Sequence, residues 1–415
     1  MITSVAYIAM HSSPLLQPGT GDAGGMNVYL DLLSRTMNSR GVNVTTFTRR
    51  ATQNQPTVTT VSDLYKVVHV DAGPSGPMPL GEMKQHAPAF ARAVMRWIDD
   101  NDEQFDLVHS HYWLSGRTGV RIKDKYSIPL ANSFHTLGKV KDLARSNGEP
   151  LSSKERLLTE EEVISRSDCV IASTPYEFED LFEHYAASPE RLCVSPPGVD
   201  HSMFKPGDRG LARKRLGLGS EPVVVYAGRI QAHKGTSTAV EAYALLRASL
   251  DPGLGVPVLQ IIGGASGEDG QAELDKCREV AGRYGVSDGI QFIDPVPHSI
   301  LADHYRAADV VIVPSLSESF GLVAAEAQAC GTPVVASKTG GLEYVVSSSE
   351  SGLLVDPHDP AAFATAIKTI VEHESFAQRL SEGAVAFSQR FSWDSTTNRL
   401  LELYEGIRVG YGSEG

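Results

Sequence analysis

Short runs rich in β-branched residues alternate along this chain with stretches whose apolar positions recur near helical spacing. The first half holds such runs at SVAYIAM (4–10), VNVTTFT (42–48), YKVVHV (65–70), DLVHSH (106–111), PLANSFH (129–135), CVIAST (169–174) and RLCVSPPGV (191–199). Between them, MNVYLDLLSRTMNSRG repeats apolar positions at Val28, Leu32 and Leu33, and Gly41 ends the segment. The pattern then restarts with PVVVYAGR (222–229), PVLQIIGG (257–264), GIQFID (289–294), VVIVPS (310–315), PVVAS (333–337) and GLLVD (352–356). Strand-helix alternation predicts parallel sheets covered on both faces.

The break between the two series is PPGVDHSMFKPGDRG (196–210), rich in proline and glycine. The expected organisation is a doubly wound, Rossmann-like α/β domain over 1–200 and a second over 201–391, facing across a cleft. A last helix over 392–410, with Ser392 as its N-cap, is expected to pack back on the first domain. Ligands of open parallel sheets bind beyond the carboxyl ends of the strands, so motifs there carry the most weight.

Composition narrows the choice of partners. The 415 residues are 41% hydrophobic and 21% charged, as in ordinary globular proteins. No apolar run is long enough for a membrane span, and MITSVAYIAMHSSP reads as a first strand rather than a leader, so no membrane partner is expected. The four cysteines (Cys169, Cys193, Cys277, Cys330) lack metal-site spacing and are expected as reduced thiols in the cytoplasm. A net charge of −13 argues against nucleic acid, and an anionic ligand requires a local basic cluster.

Four motifs supply candidate chemistry. GTGDAGGMNV (19–28) lies between the first strand and the first helix, where backbone amides suit an anion. Its Gly19, Gly21 and Gly24 match the letters of a dinucleotide fingerprint, but the second run ends FTRR (47–50) with no acid for a ribose. A phosphate-facing loop is expected there, not an NAD site. AGRIQAHKG (227–235) brings Arg229 and Lys234 to a strand end, where a fork and a point charge can hold a diphosphate. PSLSESFGLVAAEAQACGTPVVAS (314–337) carries Glu318 and Glu326 around a helix start. HSHYWLSG and NSFHTLGK hold His109, His111 and His135. The first two share a strand face like a metal pair but lack a third ligand, and His135 with Thr136 suits substrate hydrogen bonding. Asp100 and Asp102 in DDND end an amphipathic helix and read as solvated.

ESFGLVAAEAQACGTPVVAS together with AGRIQAHKG resembles the retaining nucleotide-sugar glycosyltransferases of family 4, which have the GT-B architecture. MHSSPLLQPGTGDAGGMNVY, HSHYWLSG and FHTLGKVK extend the similarity almost end to end, toward the branch that glycosylates D-inositol 3-phosphate in mycothiol synthesis. The resemblance implies catalytic roles for His135, Arg229, Lys234 and Glu318. It implies donor contacts from Gly25, Asn27, Arg229, Lys234, Glu318, Ser319, Phe320, Gly321, Leu322 and Glu326. It implies acceptor contacts from Met26, Asn27, Tyr112, Thr136 and Arg156. The resemblance further implies a UDP- or GDP-sugar donor, no required metal, and a homodimer. One departure stands out: Leu80 falls where the branch has a phosphate-gripping lysine, and Lys84, one helical turn on, is the expected acceptor contact in its place. The acceptor is therefore either the inositol phosphate or, as in lincosamide antibiotic assembly, the thiol ergothioneine taking a GDP-octose. A non-catalytic nucleotide-sugar-binding protein or an epimerase is the alternative of another class.

Overall fold

The computed structural model describes residues 1–19, 23–76, 78–145, 151–267 and 269–413. Its apolar runs become the strands of two sheets. β1 (Ser4–Ile8), β2 (Asn43–Arg49), β3 (Val58–Ser62), β4 (Tyr65–Val70), β5 (Leu107–His111), β6 (Leu130–Ser133), β7 (Cys169–Ala172) and β8 (Leu192–Val194) form the first, in the order β3-β4-β2-β1-β5-β6-β7-β8. β9 (Val223–Ala227), β10 (Val258–Ile262), β11 (Ile290–Ile293), β12 (Val310–Val313), β13 (Val334–Ser337) and β14 (Gly352–Val355) form the second, in the order β11-β10-β9-β12-β13-β14. The named neighbours pair in parallel except β3, which runs antiparallel to β4. β3 was not among the expected strands. It is a half-exposed edge strand, so it lacks the apolar run that marks the central ones.

Burial on both faces explains the unbroken apolar runs. Along β1, Ala6, Ile8 and Met10 enter one core layer, while Val5, Tyr7 and Ala9 enter the opposite one. Along β9, Val224 and Tyr226 alternate with Val223 and Val225 in the same way. Each such fully buried large side chain stabilises the fold by roughly 1.5–3 kcal/mol.

The chain crosses between the halves twice. Val199 bridges Ser392, and a Cβ on Gly198 would lie 2.3 Å from the Trp393 nitrogen, so this crossing requires glycine. The C-terminal helix Trp393–Ser413 then returns to the first sheet. Its Trp393, Leu400 and Tyr404 complete the core layer that holds Tyr7, Tyr29 and Leu33. Arg40 binds Asp394 and Asn398 at the helix's outer edge.

The expectation of four free thiols is corrected. Cys169 and Cys193 are joined in a disulfide, their Cα atoms 6.3 Å apart. The register puts Ile171 opposite Cys193, so Cys169, two residues back, shares its face of the sheet. That neighbourhood depends on strand order and is invisible in cysteine spacing. Cys277 and Cys330 are free and buried, and burial pushes both thiols up to about 12. Among the described residues no helix is long and apolar enough to cross a membrane.

In each sheet the strand order reverses beside the first strand, β1 or β9. The loops after β1 and β5, and after β9 and β12, therefore border a crevice at the carboxyl ends of the strands. These loops carry the candidate motifs except NSFHTLGK, which follows β6.

Candidate active site

The two crevices face one another and form one cavity of about 310 Å³. From the first half Gly25, Met26, Asn27, Tyr112, His135 and Thr136 line it. From the second half Arg229, Lys234, Glu318, Ser319, Phe320, Gly321, Leu322 and Glu326 line it. Arg156 stands directly behind Thr136, and Lys84 does not line the cavity.

The glycine loop is answered by the opposite wall. Gly19 has φ +84°, and a Cβ there would lie 2.9 Å from Pro295 Cβ. A Cβ on Gly24 would lie 3.3 Å from Arg229 Nε, and one on Gly25 would lie 3.2 Å from Leu322 Cδ1. Glycines thus let the second half close onto the loop. Thr20, Gly21 and Asp22 lie outside the described residues, so the rest of the fingerprint is not described. The helix Gly25–Ser39 begins within the motif. Asn27 sits in its first turn, with its side-chain oxygen accepting from the Gly24 N–H at 2.9 Å. Its amide nitrogen donates to Ser12 Oγ (2.7 Å) and the Ser13 carbonyl (2.6 Å). The amide is spent on closing the loop, as in one arm of a capping box.

The histidines fall into two groups. His109 is buried, with Nδ1 2.6 Å from the Tyr404 hydroxyl and Nε2 3.0 Å from Ser133 Oγ. Both its nitrogens are occupied, so it belongs to the core. His111 Nδ1 lies 3.0 Å from Nε2 of His135, and the rings are nearly parallel, at 21°, with centroids 5.3 Å apart. His135 follows β6 with φ +60°, a left-handed conformation unfavourable for a side chain with a Cβ. Its carbonyl accepts from Ser319 Oγ at 2.6 Å, and the Ser319 carbonyl accepts from Thr174 Oγ1 at 3.2 Å. These two bonds join the halves across the cleft. Burial lowers His135 to about 4, so its ring is neutral at physiological pH.

Tyr112, Thr136 and Arg156 converge. Arg156 Nη2 donates to the Thr136 carbonyl (3.0 Å) and Oγ1 (3.3 Å), and its guanidinium lies 5.4 Å from the Tyr112 ring centroid. Arg156 Nε holds Glu160 at 2.8 Å, one helical turn on. Glu160 is fully buried and also accepts from the Gly138 N–H and the Tyr185 hydroxyl. Glu160 and Tyr185 escaped the sequence reading, although the spacing of Arg156 and Glu160 on one helix face was available as a signal. Lys84 turns away and pairs with Glu155 at 3.2 Å. Leu80 lines the cavity instead.

On the second wall, Arg229 follows β9 and makes no ion pair among the described residues. Lys234 Nζ lies 2.7 Å from Glu318 Oε2, which also accepts from Ser315 Oγ at 3.3 Å. Gly321, with φ +106°, precedes the helix Leu322–Ala329, and a Cβ there would lie 2.7 Å from Leu342 Cδ2. Glu326 projects from that helix with, among the described residues, only the Tyr305 hydroxyl beside it at 3.3 Å, and burial pushes its carboxyl up to about 8. His233, which the motifs did not single out, is held well below its ordinary value by burial and by the cations Lys234, Lys141, Arg229 and Arg156. Those cations come from both walls, and they are the local basic cluster that the acidic chain needs for an anionic ligand.

Known proteins share this arrangement. The profile of glycosyltransferase family 4 matches residues 23–203, and that of glycosyl transferases group 1 matches residues 208–386. The D-inositol 3-phosphate glycosyltransferase of Thermomonospora curvata is 41% identical over 416 residues, covering 98% of this chain and 96% of its own. Its counterpart in Acidothermus cellulolyticus is 43% identical over 403 residues, covering 96% of this chain and 89% of its own. Among solved structures, sucrose-phosphate synthase from Thermosynechococcus elongatus has a TM-score of 0.90 at 31% identity, covering 98% of this chain and all (100%) of its own. Anabaena HepE, solved with UDP and glucose, has a TM-score of 0.76 at 20% identity, covering 97% and 100%, and shares the fold. With both halves matched and relatives aligned nearly end to end, the chain belongs to the group 1 and family 4 glycosyltransferases, and it is a transferase of GT-B build.

Proposed function

We propose that this enzyme moves N-acetylglucosamine from its UDP ester to 1L-myo-inositol 1-phosphate, with retention at the anomeric carbon. The observation that carries the reading is the pair Arg229 and Lys234 on the cavity wall opposite the glycine loop, with Tyr112, Thr136 and Arg156 converging nearby. The relatives named for inositol phosphate support this acceptor, and HepE with bound UDP supports a uridine donor. A protein that only bound nucleotide sugars would have no need for such a convergence.

In this reading Arg229 and Lys234 neutralise the diphosphate, assisted by amides at the start of the helix Leu322–Ala329. Lys234 leaves Glu318 for the phosphate as Glu318 turns to the sugar hydroxyls. Glu326 takes the ribose. Gly25, Met26, Ser319, Phe320, Gly321 and Leu322 shape the backbone around both substrates, and Asn27 holds the loop. His135 hydrogen-bonds the sugar beside the reacting carbon, and Tyr112, Thr136 and Arg156 hold the acceptor phosphate. The bond between the anomeric carbon and the diphosphate oxygen breaks as the acceptor oxygen attacks from the same face. The acceptor's proton passes to the departing diphosphate oxygen, which balances the step without an enzyme nucleophile. The cationic side chains do the work of a divalent ion, so turnover persists in EDTA. The enzyme acts in the cytoplasm, as a homodimer that sedimentation would detect.

A second reading rests on Leu80 lining the cavity while Lys84 pairs with Glu155. A phosphate site with one cation fewer binds less tightly, and the acceptor would then be a thiol such as ergothioneine, with a GDP-octose donor. Mass spectrometry of products distinguishes the two. UDP-N-acetylglucosamine with the inositol phosphate is incubated beside GDP-sugars with small thiols. Product from the first pair alone supports the proposal, and product from the second pair alone replaces it.

A further inference from the structure

We propose that His111 is a positioning residue that fixes His135 as the Nδ1–H tautomer, so that the ring donates a hydrogen bond into the cleft. This rests on the reading that His135 faces the donor sugar. The two rings meet edge nitrogen to edge nitrogen, His111 Nδ1 to His135 Nε2, at 3.0 Å. One proton lies between them, and its owner sets both tautomers.

The surroundings decide the owner. His111 is fully buried, and its Nε2 has no hydrogen-bond partner among the described residues. If His135 donated, His111 would carry its own proton on that orphaned Nε2, leaving a buried N–H unsatisfied. If His111 donates from Nδ1, the orphaned atom is only a lone pair, the less costly of the two. His135 Nε2 is then an acceptor, and its proton sits on Nδ1, which makes no hydrogen bond among the described residues.

Packing leaves no freedom to rearrange. The His111 ring lies against His109, with centroids 4.0 Å apart, and against the edges of Tyr7 and Tyr29. His109 cannot lend a nitrogen, since Tyr404 and Ser133 occupy both. The Tyr29 ring also flanks His135, at 5.2 Å between centroids. Burial lowers both His111 and His135, so neither ring resolves the conflict by taking a second proton near neutral pH.

The experiment has two arms. In the whole protein labelled with nitrogen-15 histidine, long-range proton-nitrogen spectra report the tautomer directly, and His135→Gln identifies the His135 signals by their loss. We expect Nδ1–H on His135 in the unliganded protein. An Nε2–H signal overturns the proposal, whatever the activity. The second arm is kinetic, with melting temperature and circular dichroism checking the fold. His111→Phe keeps an aromatic ring against His109 and removes the donor, and kcat should fall about 10- to 100-fold with little change in KM. His111→Asn carries an amide N–H where Nδ1 stood and should restore kcat to within a few fold. His111→Asp offers only an acceptor there, and should stay as impaired as His111→Phe. Equal activity of the Phe and Asn variants overturns the positioning role. If instead the Nδ1–H tautomer is seen but His135→Gln transfers sugar normally, the assignment of His135 to the sugar fails while the tautomer lock stands.

Discussion

The two walls of the cleft use polar groups in opposite ways. On the first wall they satisfy each other: Asn27 closes its own loop, His109 is occupied at both nitrogens, and Arg156, Glu160 and Tyr185 form a connected network. On the second wall they are left over. Among the described residues Arg229 has no ion pair, Lys234 and Glu318 pair with each side chain 20% exposed, and Glu326 has the Tyr305 hydroxyl at 3.3 Å. A network of internally satisfied groups holds a shape, whereas charges gathered around a cavity answer to a ligand. The contrast predicts that breaking the closed networks of the first wall acts through stability, whereas removing the charges of the second wall acts through rate.

The largest expected effect tests the first wall. Glu160→Ala leaves the Arg156 guanidinium without its carboxylate at a buried site. Breaking such a pair costs about 3–5 kcal/mol, read as a lower urea midpoint at unchanged slope. An undiminished midpoint would mean that the network is not what holds this wall. Arg229→Ala is the converse. Losing a donor aimed at developing charge should lower kcat by about 10² to 10³, with the urea midpoint nearly unchanged. A loss confined to KM, or a large loss of stability, would erase the contrast between the walls.

Asn27→Ala should be intermediate. It strands the Gly24 N–H and frees the loop from Ser12 and Ser13, at a cost of about 1–3 kcal/mol. Because the loop faces Arg229 and Leu322, donor KM should rise as well. Asn27→Asp is the sharper probe: it keeps the acceptor for the Gly24 N–H but loses both donations, so it should recover only part of the stability. Full recovery would show that Ser12 and Ser13 contribute nothing.

How much of this was legible in the sequence follows from the same contrast. The expected parallel strands, the two-sheet pattern and the motifs at strand ends follow from local features, since strands buried on both faces must be apolar along their length. The edge strand Val58–Ser62 was missed because half of it faces water. The second wall was readable because Arg229, Lys234 and Glu318 sit in short motifs at strand ends, where the signal is local in sequence. The first wall was misread in places because its polar groups are used up over long distances. His109 meets Tyr404 from the last helix, and the Cys169–Cys193 pair depends on sheet order. The hold of Asn27 on its own loop was not legible, because nothing in its spacing reveals Ser12 and Ser13 folding back onto it.

Glu326 adds a pH test to the second wall. Its carboxyl, raised by burial to about 8, is protonated in the empty site below that pH. Ribose hydroxyls that donate to a carboxylate favour the ionised form, so donor binding should release a proton. Affinity should then rise with pH from about 6 to 8, by at most tenfold per unit, and level off above 8. The diphosphate of a nucleotide sugar has no group titrating in that window. Calorimetry in buffers of different ionisation enthalpy counts the proton, and Glu326→Gln should abolish the dependence. Proton uptake on binding, or the same slope in the Gln variant, would remove Glu326 from the ribose site.

The smallest expected effect tests whether the walls work as one. The Ser319 hydroxyl reaches the His135 carbonyl at 2.6 Å, and the Thr174 hydroxyl reaches the Ser319 carbonyl at 3.2 Å. Thr174 is an ambiguous probe, because its hydroxyl also caps the helix Pro175–Tyr185 by accepting from the Glu177 N–H. Ser319→Ala removes only the cross-cleft donor. A single hydrogen bond is worth about 0.5–1.5 kcal/mol net, so kcat/KM should fall roughly 2- to 10-fold. The deficit should come with a more expanded unliganded particle in small-angle scattering, because the bond joins the wall that keeps its shape to the wall that carries the charge. An unchanged kcat/KM would mean that this bond does not set how the walls meet. In that case Gly24→Val, which sets branched carbons against Arg229, should be the variant that keeps them apart.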